Sequence, residues 1–316
     1  MTTGFYTHRD CHRHEMGYGH PECPERLDAI NDQLIGSGLG DMLDRHDAPL
    51  ASPSDIELAH NRLHVASLQG LTARLQEEIA AGGSAYLQID PDTSINPYTY
   101  QAALRAAGAA IAATDAVLVG QLHNAFCSVR PPGHHATHSK AMGFCFFNNV
   151  AIAAKYALER HGLKRVAVVD FDVHHGNGTE DILSNDPRAL MVGFFQHPLY
   201  PYSGTDHPAA NMGNLPVPAY TKGAAVREMF TEVLLPKLDA FQPEMVFISA
   251  GFDAHREDEL GQLGLLEQDY TWMTEQIMQI AKRHAQGRIV SCLEGGYALG
   301  ALARSVEAHL RVLAES

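Results

Sequence analysis

Short apolar runs, rich in valine and isoleucine and nearly free of internal charge, constrain this chain more than any other feature. They fall at 124–130 (NAFCSVR), 165–170 (RVAVVD), 190–194 (LMVGF), Met245–Ala250 (MVFISA) and 288–293 (RIVSCL). Strands buried on both faces of a parallel sheet have this composition, because neither face meets water. Longer helical patterns lie between them, at 98–119, 149–161, 224–240, 268–285 and Leu299–Glu315. Such alternation predicts an α/β fold with a mostly parallel central sheet and helices on both faces. No linker-like composition shift and no internal repeat interrupts it, so a single domain over 1–316 is expected. The stretch 196–218, rich in Pro, Gly, Tyr and Asn, reads as one long loop, and long loops in compact domains are usually functional.

Composition narrows the classes further. The 316 residues are 45% hydrophobic, enough for a large core. No run of about 18 apolar residues occurs, so no membrane span or membrane partner is expected. The first residues contain no apolar segment of the kind that directs secretion. Five cysteines without a C-x-x-C pair argue against a disulfide framework and for a reducing, cytoplasmic setting. A net charge of −14 leaves no basic footprint for nucleic acid. It favours cationic partners, although acidity that merely maintains solubility is the plainer reading. Nineteen histidines, several near strand ends, point to metal or acid/base chemistry.

In open parallel sheets, ligands bind beyond the carboxyl ends of strands. Four polar segments sit there: RPPGHH ending at His134-His135, DFDVHHGNG from Asp170 to Gly178, SAGFD ending at Asp253, and EGGY ending at Tyr297. In an extended chain Asp170, Asp172 and His174 share one side, with Phe171 and Val173 on the other. An isolated D-x-H is usually a capping Asp beside a surface His. Three polar groups closing an apolar strand favour a metal instead. Asp253 alone reads as a helix N-cap; beside Asp172 and His174 it supplies a third ligand. Three protein ligands leave positions open for water and substrate. Two carboxylates and an imidazole suit Zn2+, with Fe2+, Co2+ and Mn2+ also compatible. Adjacent histidines can be mere surface residues, but metal-centred hydrolysis needs a base, and His134 and His135 are placed to provide one. Asp170 and Asn177 could each orient a ring. Gly295-Gly296 would let Tyr297 swing a phenol toward a developing oxyanion.

The segments HPECPERL (from His20), RPPGHHA, MGFCFFNN, VVDFDVHHGNGTED, SAGFDAH and LEGGY, in this order, resemble the histone deacetylase superfamily. The likeness is to its class II-type and bacterial histone-deacetylase-like amidohydrolases, and it runs over nearly the whole chain. It implies a single-domain arginase/deacetylase-like fold and a deacetylase-like catalytic domain. It implies removal of acetyl or other short acyl groups from N-acylated amines, acyl-lysine foremost. Asp172, His174 and Asp253 match the zinc ligands. His135 matches the general base, His134 its electrostatic companion, and Asp170 the carboxylate that orients His134. Asn177 matches the position that holds the His135 ring, and Tyr297 the phenol that polarises the scissile carbonyl. Gly143 would accept the substrate amide N–H. Phe144 and Tyr200 match aromatic walls of a narrow tunnel, and Arg26 an arginine at its foot.

Some positions depart from the family pattern. Many relatives carry a serine where this chain has Gly193, and that hydroxyl helps bind a K+ beside Asp170. A K+ here would rest on backbone carbonyls and Asp170. Polyamine-selective relatives place a Glu seven residues after the last zinc ligand; here stands Leu260, flanked by Glu257, Asp258 and Glu259. Asp90 and Asp92 read as surface turn residues, or as a rim carboxylate gripping substrate backbone. Two other readings stay open beside the deacylase. A binuclear ureohydrolase of the arginase type would need D-x-H-x-D order, whereas this chain has D-x-D-x-H. A non-catalytic acyl-ligand binder would lack a ligand or the tyrosine, and none is missing. Residues 16–24 and 196–218 could cover the pocket from a neighbouring subunit, so a homo-oligomer is left open.

Overall fold

The computed structural model describes residues 2–315. Ten strands form: β1 (Thr3–Thr7), β2 (Leu43–Asp47), β3 (Leu87–Asp90), β4 (Thr93–Ile95), β5 (Asn124–Cys127), β6 (Val166–Asp170), β7 (Ala189–Gln196), β8 (Met212–Val217), β9 (Met245–Ala250) and β10 (Ile289–Leu293). Eight of them make one sheet in the order β2-β1-β5-β10-β9-β6-β7-β8, and every pairing in it is parallel. The other two, β3 and β4, form a separate antiparallel hairpin.

The five apolar runs all become strands, each buried along its whole length. Three strands of the eight-stranded sheet lack that signature. At the sheet edge, β2 reads LDRHD and exposes its charges, which also protects the edge from pairing with another chain. The β1 run, TGFYT, is too short and mixed to stand out. The third, β8, lies inside 196–218, so that stretch is a shorter loop followed by an edge strand rather than one long loop.

Helices cover both faces of the sheet. One group packs Thr99–Leu118 against Asn149–Glu159. Its buried alanines, from Ala102 to Ala116, allow close approach. The other group packs Leu299–Glu315 against Glu25–Gly36 and Glu267–His284. The pattern at 224–240 becomes a helix over Gly223–Met229, a π turn over Phe230–Leu234, and a helix over Leu235–Phe241. Pro236 explains the irregularity: it donates no hydrogen bond and crowds the preceding turn, and a π turn absorbs the mismatch. No helix of the described residues is long and apolar enough to cross a membrane.

His309 is buried where three elements meet. Its Nδ1 lies 2.7 Å from Thr274 Oγ1 and its Nε2 lies 2.9 Å from Ser291 Oγ. Burial pushes its pKa down to about 3, so the ring folds neutral. In the unfolded chain it titrates near 6.5. Between these values the unfolded state binds the extra proton, so this contribution to stability falls as pH falls through that window. His309→Gln should therefore reduce the pH slope of unfolding free energy by up to about 1.4 kcal/mol per pH unit between roughly pH 6 and 4. Urea melts of both proteins across that range measure it; identical slopes would contradict a neutral buried ring.

Candidate active site

The four polar segments follow β5, β6, β9 and β10, which are neighbours in the sheet order β5-β10-β9-β6. Parallel pairing carries all four strand ends to one edge, where their side chains converge.

The expected metal-ligand set comes together through a turn. The chain bends after Asp170, and the Asp172 carboxylate accepts the backbone N–H of His174 at 2.9 Å. The expected extended alternation of Asp170, Asp172 and His174 is therefore replaced by an Asx-type turn. Asp170 is directed away from the cluster, toward His134. Asp172, His174 and Asp253 bring one ligand atom each within 4.8 Å of one another, and no other group of three His, Cys, Asp or Glu does so among the described residues. His174 Nδ1 lies 3.0 Å from Asp172 Oδ1 and 3.2 Å from Asp253 Oδ2. Backbone N–H groups fix both carboxylates: Gly295 donates to Asp172 Oδ2 at 2.9 Å and Val173 to Asp253 Oδ1 at 2.8 Å. Burial and the charge of Asp172 raise Asp253 to about 7. Burial opposes a charged His174, but the two carboxylates outweigh it and lift the ring to about 10. Two acids this close and this buried call for positive charge between them, so the donor set fits a divalent cation.

The adjacent histidines differ in their partners. His134 Nδ1 lies 3.0 Å from Asp170 Oδ2, and its Nε2 lies 3.7 Å from Asp172 Oδ2. Burial pulls this imidazole down, yet Asp172 and Asp170 hold it well above its ordinary value. His135 Nδ1 lies 2.7 Å from Asn177 Oδ1. The Asn177 amide NH2 donates to the Met142 sulfur at 3.5 Å, so its oxygen faces the ring. An amide oxygen only accepts, so His135 Nδ1 carries the hydrogen and Nε2 is left as acceptor. Burial, followed by the charges of His134 and His174, lowers His135 well below its ordinary value. The two rings are thus shifted in opposite directions, His134 toward its charged form and His135 toward its neutral one.

A cavity of about 230 Å³ opens onto this edge, lined by His135, His174, Tyr297, Gly143, Phe144, Tyr200, Leu260, Leu199 and Asp92. It brings together five of the residues expected to contact substrate or its carbonyl. Tyr200 packs edge-on to His135 at 5.2 Å, and Phe144 edge-on to Tyr297 at 5.9 Å. Gly143 has φ +55, and a Cβ there would lie 2.5 Å from His135 Cδ2. Burial and the charges of Asp253 and Asp172 keep Tyr297 protonated. Asp92 sits at the tip of the β3–β4 hairpin and lines the cavity, whereas Asp90 is paired with Lys140 at 2.8 Å. Arg26 lies outside the lining. It is buried beneath Tyr297, its guanidinium carbon 5.0 Å from the ring centroid, with its Nε donating to Gly296 O at 2.7 Å.

Sequence reasoning missed the groups that hold this edge in place. Glu22 pairs with both Arg26 and Arg130, all three buried, and Arg130 also donates to Cys11 O at 2.9 Å and His14 O at 3.0 Å. Burial would raise the Glu22 carboxyl, but Arg130 holds it well below the usual range. Glu294 accepts the N–H groups of Gly133 and His134 at 2.7 and 3.0 Å, fixing the turn that carries both histidines. The signals were faint: a glutamate closing an apolar strand, and a glutamate between prolines and an arginine.

A cluster of three candidate ligands that meets the cavity through His174, with a histidine base beside it, fits the arrangement of a metal-dependent hydrolase. The histone deacetylase domain matches residues 20–313. The histone deacetylase-like amidohydrolase of Pseudomonas aeruginosa is 39% identical over 286 residues, covering 88% of this chain and 73% of that protein. The polyamine deacetylase HDAC10 of Mus musculus is 38% identical over 97% of this chain and 47% of its own length. The crystal structure of the HDA15 HD domain superposes with a TM-score of 0.89 at 31% identity, covering 99% of this chain and 90% of the other. The chain belongs to the histone deacetylase family, a family of amide-hydrolysing enzymes.

Close packing around the carboxylates gives a direct check. A Cβ at Gly295 would lie 2.0 Å from Asp253 Oδ2 and 2.7 Å from Asp172 Oδ2. Gly295→Ala should weaken Zn2+ binding at least about tenfold, measured by competition with a chromophoric chelator. Gly36→Ala, where nothing lies within 4 Å, serves as control. Equal affinities would remove the cluster from consideration as a metal centre.

Proposed function

We propose that this chain is a zinc-dependent deacylase that removes acetyl or other short acyl groups from N-acylated amines, with acyl-lysine as the principal class. The observation that carries this is the cavity of about 230 Å³ lined by His135, Tyr297 and His174, the last of which belongs to the Asp172–His174–Asp253 cluster. Zn2+ held by those three residues would supply Lewis acidity, lowering the pKa of water and polarising a carbonyl.

The chain's own residues do the rest. The acyl-amine stem enters between Phe144 and Tyr200, with Leu260 and Leu199 completing an apolar wall. The Gly143 carbonyl accepts the scissile amide N–H. His135, neutral and presenting Nε2 as acceptor, takes a proton from the attacking water. It later returns that proton to the leaving amine. His134, charged and held by Asp170, stabilises the negative charge that develops beside it. Tyr297 keeps its phenolic hydrogen and donates it as a hydrogen bond to the carbonyl oxygen as that oxygen becomes an anion. Arg26 acts from beneath Tyr297, supporting its ring.

Leu260 weighs against a polyamine substrate. It lines the cavity where a carboxylate would be needed. Its acidic neighbours do not replace it: Asp258 is buried and bonded to backbone N–H groups, Glu257 pairs with Arg304 at 3.0 Å, and Glu259 is exposed. A non-catalytic binder would have no need of a neutral base beside a protonated phenol.

The remaining assignments follow the same reading. Residues 1–316 act as one catalytic domain, without a nucleic-acid or membrane partner, and any homo-oligomer is a matter for measurement. Five free thiols, four of them buried, agree with a cytoplasmic setting. A K+ would sit in the cavity of about 10 Å³ bordered by Asp170, His174 and Gly193, held by Asp170 and backbone oxygens. A serine would not fit unaided at 193, where a Cβ would lie 2.5 Å from Asp170 O. Replacing K+ by Na+ in the assay should change turnover; identical rates over a full titration would remove K+ from the scheme.

The main test is turnover of a fluorogenic acetyl-lysine peptide. Activity should fall on chelation and return with Zn2+. Tyr297→Phe should reduce kcat by about 10²–10³. A folded, zinc-loaded protein inactive on acetyl, longer acyl and polyamine panels would overturn the proposal.

A further inference from the structure

Tyr297 lies in a backbone segment that nothing in its own sequence holds rigid. Gly296 before it has φ +121, and the helix Leu299–Glu315 begins just after it. Upstream, the segment is fastened by three bonds: Asp172 accepts the Gly295 N–H, Phe252 N–H donates to Gly295 O, and Arg26 donates to Gly296 O. Downstream, it depends on Asp258. Asp258 Oδ2 accepts the N–H of Tyr297 at 2.6 Å and of Ala298 at 3.0 Å, while Oδ1 accepts the N–H of Leu260 at 3.0 Å.

The choice of residue is informative. Asp258 is only 6% exposed, and no Lys, Arg or His forms an ion pair with it among the described residues. A buried carboxylate without a cation is costly, and here only backbone donors compensate it. Capping a helix alone would need no charge, since Ser, Thr or Asn serves. A carboxylate has acceptors on both oxygens and no donor to clash with three N–H groups; an amide would turn an NH2 toward one of them.

We infer that Asp258 is a positioning residue for Tyr297: its carboxylate fixes the backbone that carries the phenol, and its bond to the Leu260 N–H ties that anchor to its own loop. It acts only through Tyr297 and touches no reacting atom. This rests on the reading that Tyr297 polarises the scissile carbonyl. In a loosened segment the phenol would sample positions in which its hydrogen bond to the carbonyl oxygen is lost. The defect should then appear in the chemical step rather than in binding.

A double-mutant cycle on the zinc-loaded enzyme decides it. Asp258→Asn should lower kcat on the acetyl-lysine peptide at least about tenfold with KM within about twofold. On a Tyr297→Phe background the same change should cost less than about twofold, since the hydroxyl it positions is gone. A loss of equal size on both backgrounds, or one carried by KM, would overturn the inference and leave Asp258 as a helix cap. If Asp258→Asn does not fold, Asp258→Glu keeps the charge, moves the anchor, and is judged by the same comparison. If Tyr297→Phe alone turns over like wild type, the function reading fails rather than this one.

Discussion

Asp172 and Asp253 are buried side by side at the ends of β6 and β9, adjacent strands of the sheet, and the surrounding structure is shaped by the need to hold their charge. Removing a carboxylate from water costs several kcal/mol even after the protein relaxes. Here backbone N–H groups from Gly295 and Val173 offset part of that cost, and His174 lies between the two acids. Backbone can come so close only where side chains are missing. A Cβ at Gly251 or Gly295 would lie 2.0 Å from a ligand oxygen. The glycines of SAGFD and LEGGY thus serve as clearance around a charged centre more than as flexible joints. What remains of the carboxylates' electrostatic demand is directed at the open side, where a divalent cation would satisfy it.

The same field separates the two histidines. They are consecutive in sequence, both buried, with ring centroids 4.1 Å apart, yet their protonation states are opposed. The difference lies in one atom of each partner. Asp170 offers a charged oxygen and keeps a proton on His134; Asn177 offers a neutral one and leaves His135 uncharged. Once His134 is a cation, its charge lowers its neighbour further. A carboxylate at 177 would weaken that contrast, so the amide helps keep His135 a base.

The chemistry-bearing residues were legible because each is a polar group closing an apolar strand, where burial makes a polar side chain conspicuous. Their convergence was legible only in outline. Alternation along an extended chain grouped Asp170 with Asp172 and His174, whereas the Asx-type turn sends Asp170 to His134. The supporting carboxylates were not legible. Glu294 and Asp258 bind backbone N–H groups 161 and 39 residues away, and a backbone donor leaves no mark in a sequence. Edge strands β2 and β8 were missed for a related reason: one side of each is solvated, so neither needs to be apolar throughout.

The cavity wall brings these threads to the question of substrate. The carboxylates around it are not equivalent. Asp172 and Asp253 are committed to the metal-ligand cluster, Asp258 to backbone donors, and Asp90 to Lys140, which leaves Asp92 as the acid that lines the cavity away from that cluster. Phe144, Leu199 and Leu260 share the lining and offer no acceptor side chain. An amine carrying a second ammonium along its stem would lose hydration against these apolar side chains, at a cost of several kcal/mol, with Asp92 as the acid of the lining. An acyl-lysine stem carries no such charge. On the proposed reading, discrimination between the two therefore comes from the apolar wall, and Leu260 contributes by offering no acceptor at its own position.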